Sequence, residues 1–121
     1  MITDEDYMSL PSPNISIRPS GMVNWGQKVD IICSISTQHL GGEFTLIKLF
    51  GYFRERKSAV GNSATFTIVQ MDFSREGDYF CLYETLVSNR TFISKGSTTV
   101  KVTLDGKDLL KINIKVNILF I

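Results

Sequence analysis

The chain has 121 residues, of which 43% are hydrophobic, 13 are basic and 12 are acidic. This length suits one domain, and the apolar content supports a packed core and excludes a disordered chain. The nearly balanced charge argues against nucleic acid or another polyanion as the main partner.

Short runs in which apolar and polar residues alternate follow one another along the chain. These runs predict β-strands at residues 14–18, 29–35, 43–50, 64–70, 78–87 and 97–104. Residues 51–63, which hold a basic cluster and a glycine turn, are predicted to be a loop. Turn residues separate the strands at intervals of about 8 to 12 residues and no convincing helix is found, which predicts an antiparallel sandwich or barrel.

The two cysteines, Cys33 and Cys81, each lie inside an apolar run that is typical of a strand. If bridged, they close a loop of about 48 residues, for which the chain-entropy model gives on the order of 4 kcal/mol of stabilisation. A bridge would also indicate an oxidising compartment. On spacing alone, two unrelated buried thiols are the alternative.

The residues that lead to the second cysteine form the most specific motif of the chain. The run Glu76-Gly77-Asp78-Tyr79-Phe80-Cys81 resembles the immunoglobulin signature Asp-x-Gly-x-Tyr-x-Cys, and residues 26–33 resemble the strand that carries the first cysteine. The resemblance implies an all-β, immunoglobulin-like antiparallel β-sandwich of about seven strands. It also implies a disulfide between Cys33 and Cys81 and a tyrosine corner at Tyr79.

Two positions depart from the immunoglobulin pattern. Arg75 replaces the aspartate of the motif, so the usual salt bridge is absent or reversed in sign. Leu46 stands where the core tryptophan is expected, and we expect it to pack against the disulfide instead. The pattern Phe44-Thr45-Leu46-Ile47-Lys48 looks like leukocyte and killer-cell immunoglobulin-like receptors and Fc-receptor-type domains, and residues 62–81 look like fish leukocyte immune-type receptors.

The resemblance covers residues 13–104. The interval between the predicted strands at residues 43–50 and 64–70 is too short for the extra hairpin of variable domains, so a constant-type or leukocyte-receptor-type domain is expected. Residues 1–12 and 105–121 are then N- and C-terminal extensions. Within the second extension, every other residue from Leu110 to Phe120 is apolar. This pattern predicts an extra strand on a sheet edge, a stalk, a strand that pairs with a second molecule, or the start of a following segment.

No motif for catalysis, metal binding or cofactor binding is found in the sequence. The single histidine, His39, lies in a polar loop without a cysteine or carboxylate at metal-ligand spacing. No Gly-x-Ser-x-Gly motif supplies a nucleophile, and no glycine-rich loop would hold a phosphate. The chain is therefore expected to be a binding module and not an enzyme, with no cofactor and no small-molecule substrate.

Two groups of polar residues are candidate surface sites. The sequons at Asn14 and Asn89 predict N-glycosylation, and Asn89 is favoured because it lies at a predicted hairpin tip. The basic cluster of Arg54, Arg56 and Lys57 is either a solvated loop or a contact patch for an acidic surface of a protein partner.

Alternation also places large apolar side chains on the outer side of one sheet. With Cys81 facing inward, Phe80 and Leu82 face outward, and the neighbouring strand brings Ile47 and Leu49 beside them. Antiparallel sheets normally show polar groups on their wet side, so this surface is expected to be covered. The cover is a partner chain, the C-terminal extension, or a bulge that buries these residues within the monomer.

These features predict an extracellular ligand-recognition domain of a cell-surface immune receptor, either on the outer side of the plasma membrane or secreted. It would bind a protein ligand on another cell or in solution, through one sheet face and the adjacent loops. The alternative is a homophilic adhesion or structural domain that forms a homodimer through the apolar face.

Overall fold

The computed structural model describes residues 9–106. Within this range the chain forms nine β-strands and one short 3-10 turn, Phe73–Arg75. The strands are β1 (Asn14–Arg18), β2 (Met22–Val23), β3 (Val29–Ser34), β4 (Glu43–Lys48), β5 (Arg54–Ser58), β6 (Ser63–Ile68), β7 (Gly77–Val87), β8 (Arg90–Ile93) and β9 (Val100–Leu104). No helix in this part of the chain is long and apolar enough to cross a membrane.

The strands form two sheets that share one core. The first sheet has the order β1-β3-β6, and the second has the order β2-β9-β7-β4-β5, with β8 also paired to β7. All pairs are antiparallel except that of β2 with β9. A disulfide between Cys33 on β3 and Cys81 on β7 joins the two sheets. This arrangement confirms the predicted immunoglobulin-like sandwich.

Alternating side chains of the central strands form the core. On β3, Val29, Ile31 and Cys33 are completely buried, as their spacing of two residues predicts. Leu46 lies opposite Cys81 in the register of β4 with β7 and is only 2% exposed. This position is consistent with the role expected for Leu46 in place of the core tryptophan.

A tyrosine corner is present at Tyr79. Its hydroxyl donates a hydrogen bond of 2.6 Å to the backbone carbonyl of Arg75. Burial raises the pKa of this hydroxyl, which further favours the protonated form that donates the bond. Because the acceptor is a main-chain oxygen, the corner forms with arginine in place of the motif's aspartate.

The largest difference from the sequence prediction is β5, in a segment that was predicted to be a loop. It pairs with β4 from Arg54 opposite Ile47 to Ser58 opposite Glu43. All five of its residues are exposed, so no apolar alternation marks the strand. In constant-type domains, the sheet that corresponds to β1-β3-β6 has a fourth member, which follows β4 in the chain. Here the strand after β4 is β5, and it extends the other sheet. The strand order therefore differs from the constant type.

The last predicted strand, residues 97–104, begins only at Val100 as β9, and a strand that was not predicted, β8, precedes it. Between them, Ser94 and Ser97 bind β7 without forming a continuous ladder. The N–H of Tyr83 donates to Oγ of Ser94 at 2.9 Å, and the N–H of Cys81 donates to Oγ of Ser97 at 2.8 Å. Each serine also donates its own N–H to the carbonyl of the same β7 residue. The two serine hydroxyls therefore accept the N–H groups of Cys81 and Tyr83 on β7, which would otherwise lack partners where β8 ends and β9 has not begun.

The strands described here all lie between residues 14 and 104. The apolar alternation from Leu110 to Phe120 lies outside the described residues.

Candidate protein-binding face

The outer face is the side of the six-stranded sheet that points away from the β1-β3-β6 sheet. Its membership follows from alternation, because the neighbours Phe44, Leu46, Cys81 and Tyr83 are buried in the core. The outward residues near its centre are Glu43, Thr45, Ile47, Arg54, Arg56, Phe80, Leu82, Glu84 and Ile93.

The chain itself covers part of the predicted apolar patch. Ile47 lies opposite Phe80 and is only 8% exposed. Phe80 is half-buried, and Gly96 from the interrupted strand lies over it: a Cβ atom on Gly96 would be 3.0 Å from Cδ2 of Phe80. Because a larger residue would crowd the ring, the glycine permits this close approach. The interruption between β8 and β9 thus covers Phe80 within the monomer.

Leu49, which was predicted to belong to the same patch, lies beyond the end of β4. Its N–H donates to the carbonyl of Asp78 at 2.8 Å, and 36% of its surface is exposed. Because β4 ends at Lys48, Leu49 does not line the same surface groove as Leu82.

The open part of the outer face is a groove with a volume of about 310 Å³. Its lining consists of Thr45, Arg54, Arg56, Leu82, Glu84 and Ile93. Leu82 is half-buried, whereas Ile93 is 61% exposed. The groove therefore combines an apolar floor with a charged rim, as protein-binding surfaces do.

The two arginines of the groove differ in their electrostatic surroundings. Nε of Arg56 lies 3.4 Å from Glu43, and its Nη2 lies 3.5 Å from Glu84, so two carboxylates offset its charge. Within residues 9–106, Arg54 forms no ion pair with a carboxylate. Arg54 is thus the uncompensated cation of the groove.

Lys57 does not belong to the groove, although the sequence groups it with the arginines. Alternation along β5 turns it to the other side of the sheet from Arg56. Its Nζ donates a hydrogen bond of 2.6 Å to the carbonyl of Thr65 on β6 and lies 6.0 Å from the centre of the Phe66 ring. The basic cluster is therefore divided, because its members lie on a strand and not in a loop.

The sequence analysis did not place Thr45, Glu84 or Ile93 in the site, and Ile93 is the apolar residue among these three. The β7–β8 hairpin turns at Ser88 and Asn89, which both have positive φ angles, 50° and 62°. Counting back from a two-residue turn places Ile93 opposite Glu84, on the outer face. The sequence analysis predicts a hairpin tip at Asn89. Counting residues from that tip would have placed Ile93 on the outer face.

The structure places both sequons at the surface. Asn89 is exposed at the tip of the β7–β8 hairpin, as predicted, and Asn14 is exposed at the start of β1. Glycosylation of either residue stays a prediction.

The loop that contains His39 has a structural role. The hydroxyl of Tyr83 donates to the carbonyl of His39 at 2.7 Å and accepts the N–H of Gly42 at 3.1 Å. No group of three or more histidine, cysteine or acidic residues in the described range could hold a metal ion.

Two sheets joined by a buried disulfide, together with a tyrosine corner, define an immunoglobulin-type domain. The family model described as the immunoglobulin domain matches residues 19–92, and the chain belongs to this family.

Two of the solved structures that are similar to this chain are of leukocyte immunoglobulin-like receptors. The crystal structure of CHIR-AB1 is 26% identical with a TM-score of 0.65, and the match covers 79% of this chain and 100% of that one. The human OSCAR ligand-binding domain is 21% identical with a TM-score of 0.64, over 78% of this chain and 48% of that one. This chain therefore spans about half of the OSCAR structure, and that likeness shows the fold alone.

The likeness to CHIR-AB1 confirms the resemblance to leukocyte receptors, whereas neither structure supports a narrower likeness to fish receptors. Comparison with curated protein sequences finds no match.

Proposed function

We propose that this chain is the extracellular ligand-recognition domain of a cell-surface immune receptor, and that it binds a protein ligand through the outer face. Its likeness to CHIR-AB1 supports this class of function, and the disulfide suits an oxidising, extracellular environment. The folded domain would comprise residues 13–104, with residues 1–12 and 105–121 as extensions.

The observation that carries the proposal is the apolar floor of the groove. Ile93 exposes most of its surface beside Leu82, on a sheet side that antiparallel proteins usually cover with polar groups. Full burial of such a side chain stabilises a complex by roughly 1.5–3 kcal/mol, before the cost of association is subtracted. The two residues can therefore supply an apolar contact of moderate strength.

The binding would be non-covalent. The apolar floor would supply most of the affinity, and the charged rim would set orientation and association rate. Because β7 is a central strand of a disulfide-linked sandwich, Leu82 is held in place, which limits the entropy that this part of the floor loses on binding.

A screen of the purified chain against leukocyte surface proteins would identify ligands, and one pair of variants would locate the site. Leu82→Lys should weaken binding by at least about tenfold, because it places a charge on the apolar floor. Ile32→Lys is the matched control, since Ile32 is also half-buried on a central strand but lies on the outside of the other sheet. Equal binding by the two variants would contradict the proposed site.

The second candidate function is homophilic adhesion. The groove places Glu43 and Glu84 beside Arg56, so it presents both signs of charge around an apolar floor. Such a surface can be self-complementary across a two-fold axis. Light scattering after size exclusion distinguishes the two functions, because homophilic adhesion requires a dimer whose amount rises with concentration and falls in Leu82→Lys.

A further inference from the structure

One cation of the groove, Arg54, forms no ion pair within residues 9–106, and it has a fixed place. Arg54 lines the groove and lies opposite Ile47 in the register of β4 with β5. Its neighbour Arg56 lies between two carboxylates, at 3.4 Å and 3.5 Å. A bound molecule therefore meets a single free guanidinium at one side of the groove.

The apolar floor lies across the groove from this guanidinium, because Arg54 is on β5 whereas Leu82 is on β7 and Ile93 is on β8. Leu82 is opposite Thr45 on β4, and Ile93 is opposite Glu84 on β7. Both apolar side chains line the same groove as Arg54. An occupant that used the whole groove would thus need an anionic group and an adjoining apolar group.

We propose that the groove binds a protein segment in which an aspartate or glutamate adjoins a large apolar side chain, with the carboxylate on Arg54 and the apolar side chain on Leu82 and Ile93. This inference rests on the proposed function and specifies the chemistry of the ligand. The planar guanidinium can hold a carboxylate with two parallel hydrogen bonds, which fixes the orientation of the segment.

Charge complementarity favours a protein segment over other anions. A free phosphate would leave Leu82 and Ile93 in contact with water. Nucleic acid would bring a row of phosphates against Glu43 and Glu84, whose carboxylates repel them. A single carboxylate beside an apolar side chain satisfies both parts of the groove.

The test uses the full chain, immobilised, and a library of random linear peptides displayed on phage. Selection on the unmodified chain should yield peptides with Asp or Glu next to Leu, Ile, Val, Phe, Tyr or Trp. Synthetic peptides from that selection should bind Arg54→Glu at least about tenfold more weakly, because the variant replaces the attraction by repulsion. Their binding should also weaken as salt is raised.

Lys28→Glu is the matched control, because it changes the net charge equally at an exposed residue outside the groove. It should bind the peptides like the unmodified chain, and Arg54→Lys should retain part of the binding. Failure to select peptides, or selection without enrichment of Asp and Glu, overturns the inference.

Two further results separate this inference from the proposed function. Peptides that bind Arg54→Glu normally but fail to bind Leu82→Lys would refute the carboxylate contact and leave recognition through the outer face standing. Peptides that are indifferent to both changes would refute both.

Discussion

The outer surfaces of the two sheets differ, although both belong to antiparallel sheets in one sandwich. The outward positions of the β1-β3-β6 sheet are Asn14, Ser16, Arg18, Asp30, Ile32, Ser34, Ser63, Thr65 and Thr67. Only Ile32 among them is apolar, and neighbouring polar groups bind one another, as Thr67 does when it donates to Asp30 at 2.7 Å. This surface follows the usual pattern of a wet sheet side.

The outer face of the six-stranded sheet has Ile47, Phe80, Leu82 and Ile93 in the equivalent central positions. The same architecture is thus compatible with a polar outer surface, so the apolar one is not required by the fold. Its apolar residues are partly covered by the chain and partly open in the groove. The requirements of the fold therefore do not explain the open part, which agrees with the proposal that it binds a ligand.

The largest effect is expected from a change in the core that both surfaces share. Leu46→Ala should lower the free energy of unfolding by about 2–5 kcal/mol, because it leaves a cavity beside Cys81. Urea denaturation measures this loss, with Leu86→Ala as the control because Leu86 is 66% exposed. If Leu46→Ala lowered the free energy of unfolding no more than Leu86→Ala does, packing at Leu46 would not contribute to the stability of the sandwich.

A smaller effect is expected from the segment that covers Phe80. Ser94→Ala should cost about 1–3 kcal/mol, because it leaves the buried N–H of Tyr83 without its acceptor. It should also loosen the cover and increase the binding of an apolar dye. Ser16→Ala, on the polar outer surface, should change neither the unfolding free energy nor the dye signal. Unchanged dye binding in Ser94→Ala would mean that the cover does not depend on this hydrogen bond.

The basic residues of β5 should matter still less for stability. Replacement of Arg54, Arg56 and Lys57 together by serine should change the free energy of unfolding by less than about 1 kcal/mol, because exposed charges and ion pairs contribute little. Thermal unfolding checks this expectation. A large loss would indicate that β5 needs these side chains to stay on the sheet, and would weaken the case that Arg54 is available for a ligand.

The smallest effect on the folded domain is expected at the sequons. In a glycosylating animal cell line, Asn89→Gln should remove one glycan from the measured mass while the thermal unfolding stays unchanged, because Asn89 is exposed at a turn. Asn14→Gln tests the other outer surface in the same way. An unchanged mass in both variants would show that neither sequon is used.

The sequence predicts the features that depend on alternation and on local motifs. The buried positions of β3 follow from alternation, and the place of Leu46 and the tyrosine corner follow from the resemblance to the immunoglobulin motif. The strand β5 could not be predicted in this way, because an exposed edge strand shows no apolar alternation.

The groove was predicted only in part, for related reasons. The position of Gly96 over Phe80 depends on packing between segments that are distant in sequence, which no periodicity reports. The separation of Lys57 from Arg54 and Arg56 follows from alternation once the segment is known to be a strand. The membership of the candidate site therefore depends on the formation of β5, which apolar alternation does not predict.

The position of Lys57 also bears on solubility. Strands at the edge of a sheet carry free N–H and carbonyl groups, which can recruit a strand of another molecule and start aggregation. The sequence of β5 is Arg-Glu-Arg-Lys-Ser, and the ammonium of Lys57 occupies the carbonyl of Thr65 on the neighbouring edge. Charge along one edge and a bound cation at the other discourage such pairing. Copies of the domain at high local concentration are therefore not expected to pair through these two edges.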